Sequence, residues 1–328
     1  MSDDLHSARG GLATADAAGR PLRRPRRRLL VGCGLALGAG AAGLAASPSS
    51  ALGLINGLAA LPGRRRLDGA AYGTHPRQRY DLFTPGGAPP AAGWPLVVFF
   101  YGGAWNSGAR ADYRFVGEAL AARGQVAMVA DYRLYPEVRY PDFLHDCAAA
   151  LGHGLAMAGR WRADRRRVFV MGHSAGAYNA AMLALDPRWL AREGRAPDEL
   201  AGWIGLAGPY DFLPIRTPAV QPVFHHPQVP PGTQPIGYAS TSRLPALLLA
   251  ARQDDSVNPQ RNTAGLAQAL SQAGAPVVTR AFDRVNHATL VGAMAWPLRL
   301  LAPVLDEVTA FVAATPPASP STPPAPAA

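Results

Sequence analysis

Arg167-Val168-Phe169-Val170-Met171, followed directly by Gly172-His173-Ser174-Ala175-Gly176, is the stretch that decides the fold. The first five residues are apolar after Arg167 and short enough for a strand buried on both faces. A helical pattern over Ala175–Leu185 follows without a spacer. A strand turning sharply into a helix needs small residues on either side of the turn. The turn lifts the Ser174 hydroxyl clear of the backbone, and the N–H groups of the helix start can stabilise an oxyanion.

Outward from this unit the same alternation repeats. Short apolar runs at Arg79–Thr84, Pro95–Tyr101, Gln125–Ala130, Trp203–Leu206, Pro245–Ala251 and Pro276–Phe282 read as strands. Helical patterns lie between or after them near Tyr113–Arg123, Tyr140–Ala158, Arg261–Ala273 and Leu300–Ala313. Arg79–Thr84 alternates apolar and polar residues, as an edge or antiparallel strand does. Such alternation predicts an α/β fold: a mostly parallel, twisted sheet with helices on both faces. The proline-rich stretch Asp211–Arg243 lacks periodicity and is expected to lie over one end of the sheet.

Sites in open parallel sheets form beyond the carboxyl ends of the strands. Three loops in that position carry chemistry: the one holding Ser174, Tyr101-Gly102-Gly103-Ala104-Trp105, and the pair formed by Asp254-Asp255 and His287. Adjacent glycines let backbone N–H groups point into a site, as a tetrahedral oxyanion requires. A serine nucleophile needs a base within hydrogen-bond reach, and the base needs an acceptor to fix its tautomer. His287 is the sole histidine after Asp254. The spacing leaves either Asp254 or Asp255 as the acid. Trp105, Tyr210 and Phe212 are candidate pocket walls. No zinc spacing and no CxxC is present, adjacent His225-His226 are poorly placed to chelate one ion together, and no metal or cofactor is expected.

The sequence resembles the α/β-hydrolase superfamily, within it the esterase and hormone-sensitive-lipase-like group with an HGG-type oxyanion loop. The matching residues are Tyr101–Trp105, Asp131-Tyr132-Arg133-Leu134-Tyr135-Pro136-Glu137, Gly172–Gly176, Asp254–Val257 and Asn286-His287, in the group's order. The resemblance implies the α/β-hydrolase fold, Ser174 as nucleophile, His287 as base and Asp254 as the orienting acid, since the acid usually stands three residues before a valine, here Val257. It implies oxyanion donors on the backbone of Gly103, Ala104 and Ala175, and a buttressing role for Asp131–Glu137. Two places depart from the pattern: Tyr101 stands where the group has histidine, and Ala250-Ala251 where it usually has His-Gly. The expected activity is ester hydrolysis through an acyl-enzyme on a small-molecule ester. Formamide hydrolysis of the kynurenine formamidase kind and a catalytically inactive binding protein are the alternatives.

The 328 residues, 48% hydrophobic and 16% charged, supply a sizeable core and exclude wholesale disorder. All basic residues are arginine, which excludes a lysine nucleophile, Schiff base or P-loop lysine. The net charge of +10 is concentrated at the start, where residues 1–28 carry +4; the remainder has no basic stripe interleaved with aromatics, so nucleic acid is not an expected partner. Leu29–Ala46 is an uncharged, Gly/Ala-rich run after an arginine cluster. Residues 1–50 are therefore expected to be an export leader or membrane anchor, with residues 29–46 the membrane-associating part and the cell envelope or periplasm of a bacterium the destination. Residues 51–314 form the expected catalytic domain, and residues 315–328 a Pro-rich disordered tail. Cys33 and Cys147 make no disulfide framework, and the sequence fixes no oligomeric state.

Overall fold

The computed structural model describes residue 56, residues 65–296 and residues 298–319. Its strands are β1 (Arg65–Ala71), β2 (Arg79–Thr84), β3 (Trp94–Phe100), β4 (Val126–Ala130), β5 (Ala163–His173), β6 (Gly202–Leu206), β7 (Ala246–Ala251) and β8 (Val277–Phe282). The helices are α1 (Arg114–Ala122), α2 (Asp142–Met157), α3 (Ala175–Leu185), α4 (Pro187–Ala191), α5 (Gly265–Gln272), α6 (His287–Gly292) and α7 (Val304–Ala314). Each apolar run expected as a strand is one, within a residue or two, except that β5 reaches further at both ends. The arginine-rich start of β5, Asp164–Arg166, is too polar to read as strand, and it lies where the pairing with β3 shifts register between Trp94–Ala163 and Leu96–Val168.

The strands form one sheet in the order β1-β2-β4-β3-β5-β6-β7-β8. From β4 to β8 every pairing is parallel; β2 runs antiparallel to both β1 and β4. The expected antiparallel strand is therefore present but does not lie at the edge. β1 covers it through a bulged pairing, and its sequence RRLDGAA carries no alternation that would announce a strand. Leu96–Phe100 of β3 and all of β4 are fully buried, each large side chain contributing about 1.5–3 kcal/mol of burial free energy. α1 and α7 pack together on one face, and α2, α3 and α4 on the other.

β3 sits between β4 and β5, so the chain leaves it toward one side and later returns on the other. That reversal opens a crevice at the carboxyl ends of β3 and β5, where α/β sheets bind ligands. The opposite pole receives the start of β1 and the segment that follows α7. Arg65 pairs with Thr84 beside the amino end of β4, and Ala318 donates its N–H to the Arg166 carbonyl at 2.7 Å. Residues 315–319 thus depart from the expected disorder. Thr315 and Ala318 are buried, and Arg166 Nε returns a bond to the Ala318 carbonyl. Residues 320–328 and the expected leader at residues 1–50 lie outside the described residues. Among the described residues no helix is long and apolar enough to cross a membrane.

Candidate active site

The turn between β5 and α3 puts Ser174 at φ 55°, ψ −122°, a region that side-chain-bearing residues rarely occupy. The flanking glycines make it sterically feasible. A Cβ on Gly172 would stand 2.1 Å from the Gly176 carbonyl oxygen, and one on Gly176 would stand 2.0 Å from the Phe100 carbonyl oxygen. Both glycines let α3 start directly against the ends of β5 and β3. The Ser174 N–H is tied to the Leu206 carbonyl at 2.9 Å, so β6 helps to hold the turn.

His287 arrives from the far side of the sheet as the first residue of α6, where a sequence reading expects a loop. The helix is six residues long and capped by Asn286, whose side chain accepts the Thr289 N–H at 2.9 Å. Its Nε2 lies 2.8 Å from Ser174 Oγ, and its Nδ1 lies 2.8 Å from Asp254 Oδ2. The carboxylate fixes the proton on Nδ1, leaving Nε2 to accept from the serine hydroxyl. Asp254 reaches His287 from beyond β7 and its other oxygen accepts the N–H groups of Ser256 and Val257 at 2.9 and 2.8 Å. Burial works to raise the Asp254 carboxyl. The hydrogen bond and charge of His287, joined by the two backbone donors, outweigh it and hold the carboxyl below its usual range. Asp255 is exposed, and of the two aspartates left open by spacing Asp254 is the one in contact with His287.

The second loop lies against the first: a Cβ on Gly102 would be 2.8 Å from Ser174 Cβ. Gly103, Ala104 and Trp105 all have positive φ, at 132°, 50° and 59°. The Gly103 carbonyl accepts the N–H groups of Asn106 and Ser107 at 3.0 and 3.1 Å and the Ser107 hydroxyl at 3.0 Å. In a trans peptide the N–H is anti to the carbonyl. The Ala104 N–H therefore points away from that turn.

Tyr101 takes over the support of this loop where the resembling group has histidine. Its ring is fully buried and stacked between Tyr113 and Tyr132, at centroid distances of 5.7 and 4.9 Å. Arg77 donates to its hydroxyl at 2.7 Å and to the Gly108 carbonyl at 2.9 Å, and the Tyr132 hydroxyl donates to the Tyr101 carbonyl at 2.8 Å. The Tyr135 N–H donates to the Trp105 carbonyl at 2.8 Å, which gives Asp131–Glu137 the expected buttressing contact.

The three expected pocket walls are placed differently. Trp105 is in an aromatic cluster with Phe143, Tyr178, Phe212 and Phe224 beside the serine's helix, under the proline-rich excursion. Tyr210 is not a pocket wall. Its ring is fully buried edge-on to Trp203, and its hydroxyl lies where a Cβ on Gly205 would come within 1.9 Å. It packs against β6 because that strand offers a glycine-sized space there.

His173 and Asn179 are polar groups at this site to which the sequence reading assigned nothing. His173 is buried beneath the triad and its Nε2 lies 2.9 Å from the His287 carbonyl. Burial, then the charge of His287, pushes it down to about 3, so it is neutral and donates from Nε2. Asn179 accepts the Trp105 indole N–H at 3.0 Å. A lone asparagine in the otherwise apolar AGAYNAAMLAL helix was the available signal for the latter. No group of three or more metal-ligating side chains occurs among the described residues.

An eight-stranded sheet of this order, with the serine turn and the His–Asp pair at its switch point, defines an α/β-hydrolase. A BD-FAE family model matches residues 80–270, and the chain belongs to the BD-FAE family. Over 155 residues it is 32% identical to the probable isoprenylcysteine alpha-carbonyl methylesterase ICME of Oryza sativa subsp. japonica, covering 45% of this chain and 36% of that protein. It therefore spans little more than a third of that relative's length. Over 229 residues it is 22% identical to the kynurenine formamidase of Danio rerio, covering 67% of this chain and 74% of that one. Among solved structures, the esterase Est2 of Thermogutta terrifontis with bound propionate shares the fold at a TM-score of 0.61 and 22% identity, over 77% of this chain and 94% of that one.

Proposed function

We propose that this protein is a serine hydrolase that cleaves carboxylic esters of small molecules through an acyl-enzyme. The observation that carries this reading is the continuous hydrogen-bonded chain from Ser174 through His287 to Asp254 at the sheet's switch point. Ser174 Oγ attacks the acyl carbon as His287 Nε2 takes its proton. Asp254 stabilises the imidazolium that forms and holds its orientation. The N–H groups of Ala175, Ala104 and Gly103 are the donors assigned to the tetrahedral oxyanion. His287 then protonates the leaving alcohol, and water activated by the same nitrogen releases the acid. The sequence similarity to a methylesterase supports the ester as substrate. The similarity to a kynurenine formamidase supports a formamide as the second reading, because the same steps cleave an N-formyl bond.

A fluorophosphonate probe tests the chemistry common to both. Stoichiometric modification of Ser174, located by peptide mass spectrometry and lost in His287→Ala, is expected. Failure to label folded protein sinks the hydrolase reading and leaves a hydrolase-shaped binding protein. Parallel turnover of p-nitrophenyl esters and N-formyl substrates then chooses between ester and formamide.

We also propose that residues 1–50 direct export or anchor the protein in the cell envelope. The support is the sequence pattern of Arg23–Ala46. Cell fractionation with N-terminal sequencing is the check, and full-length protein in the soluble cytoplasmic fraction would refute it.

A further inference from the structure

We propose that Asn179 is a positioning residue for the oxyanion loop, acting through the Trp105 indole; this rests on the hydrolase reading above. Asn179 lies on α3, the helix that begins at Ser174, and is fully buried. Its Oδ1 accepts the Trp105 indole N–H at 3.0 Å, whereas its Nδ2 is buried with no partner. The unpaired half of this buried amide adds little to stability. Replacing both bond partners by apolar groups of similar shape is close to neutral for folding, whereas replacing Asn179 alone leaves the buried indole N–H unpaired. What the oxygen does supply is direction.

Trp105 and Ala104 both hold left-handed backbone, which residues with a Cβ adopt reluctantly. The loop is also tied through the Gly103 carbonyl to its own turn, the Trp105 carbonyl to Tyr135, and Tyr101 to Tyr132 and Arg77. The indole bond instead connects the loop to the helix carrying the nucleophile. The rings of Phe143, Tyr178, Phe212 and Phe224 surround the indole, which takes the rotation that points its N–H at Asn179. The hydrogen bond sets that rotation, and with it the backbone that aims the Ala104 N–H. Because oxyanion donors act only when held at the right spot, a loosened loop lowers turnover more than binding.

The test measures kcat and KM on p-nitrophenyl acetate for wild type, Asn179→Leu, Trp105→Phe and the double variant. It is accompanied by thermal unfolding and by the indole N–H resonances of ¹⁵N-tryptophan protein. Each single substitution is expected to lower kcat by about 10–100-fold with KM within about twofold. The double variant should be no worse than the poorer single, because both remove one bond. Asn179→Leu should unfold somewhat earlier than wild type, because the buried indole N–H loses its acceptor, while shifting one indole resonance. If Asn179→Leu does not fold, Trp105→Phe carries the kinetic test alone. An active wild type with equally active, folded variants, or losses that multiply in the double variant, overturns the proposal. A wild type that turns over nothing sinks the hydrolase reading itself.

Discussion

At the carboxyl ends of β3, β5 and β6, Ala104, Trp105, Ser174 and Ala207 all hold positive φ, whereas at the amino ends Arg162 does so as the residue closing a 3-10 turn before β5. The two poles also differ in what they bury. The carboxyl pole holds His173, Asn179 and the Asp254 carboxylate away from water, with unpartnered nitrogens on the first two. The amino pole leaves Arg160 and Arg162 exposed on a groove of about 820 Å³ that Trp94 and Trp161 also line, and Arg165 and Arg166 are exposed as well. Strain and buried polarity are thus concentrated at the pole with the triad, although Arg162 and the buried Gln125 bring some of each to the other, which keeps most of its charge in solvent.

The largest effect that could break this comparison is on the acid. Asp254→Asn should cost about 10³–10⁴ in kcat by presenting the wrong hydrogen-bonding partner to His287, with Asp255→Asn within about threefold of wild type. Steady-state kinetics of the two variants decides it; equal losses would mean that the hydrogen-bond geometry misassigns the acid.

Next comes backbone crowding. Gly176→Ala forces a Cβ onto the Phe100 carbonyl and should destabilise by about 3 kcal/mol, whereas Gly87→Ala, at φ +85° with open space around it, should cost about 1 kcal/mol. Urea midpoints of both variants measure the asymmetry between the poles, and similar shifts would remove it.

The smallest effect concerns pH. Burial holds the His173 folded-state value near 3 against an unfolded value near 6.5, so the unfolded chain binds the extra proton between these limits. The stability that neutral His173 retains is fully present above about pH 6.5 and is lost as pH falls toward 3. Burial lowers His145 and His153 as well, giving the same sign. Denaturant unfolding at pH 7 and pH 4.5 should therefore show a smaller loss in His173→Asn than in wild type; equal losses would show that His173 does not contribute.

The sheet was legible because β3 to β7 carry apolar runs bounded by glycine or proline, and burial on both faces demands that pattern. Ser174 and His287 were legible because a turn, a helix start and chain order constrain them together. β1 was not, since its pairing is bulged and its residues are polar, and neither was the short helix α6, whose definition comes from the Asn286 cap. Tyr210 was misjudged because its position after β6 suggests a loop at the site, while the chain folds back so that its ring fills the space left by Gly205 on β6 itself. The roles of His173 and Asn179 depend on contacts with His287 and Trp105, far away in the chain, and no local pattern encodes them.

Because Ala318 bonds Arg166 at the amino pole, the last described residues run along the side of the sheet opposite Ser174. A cysteine introduced at exposed Ser319 would carry a dye or a surface linkage on that side, away from the reactive serine.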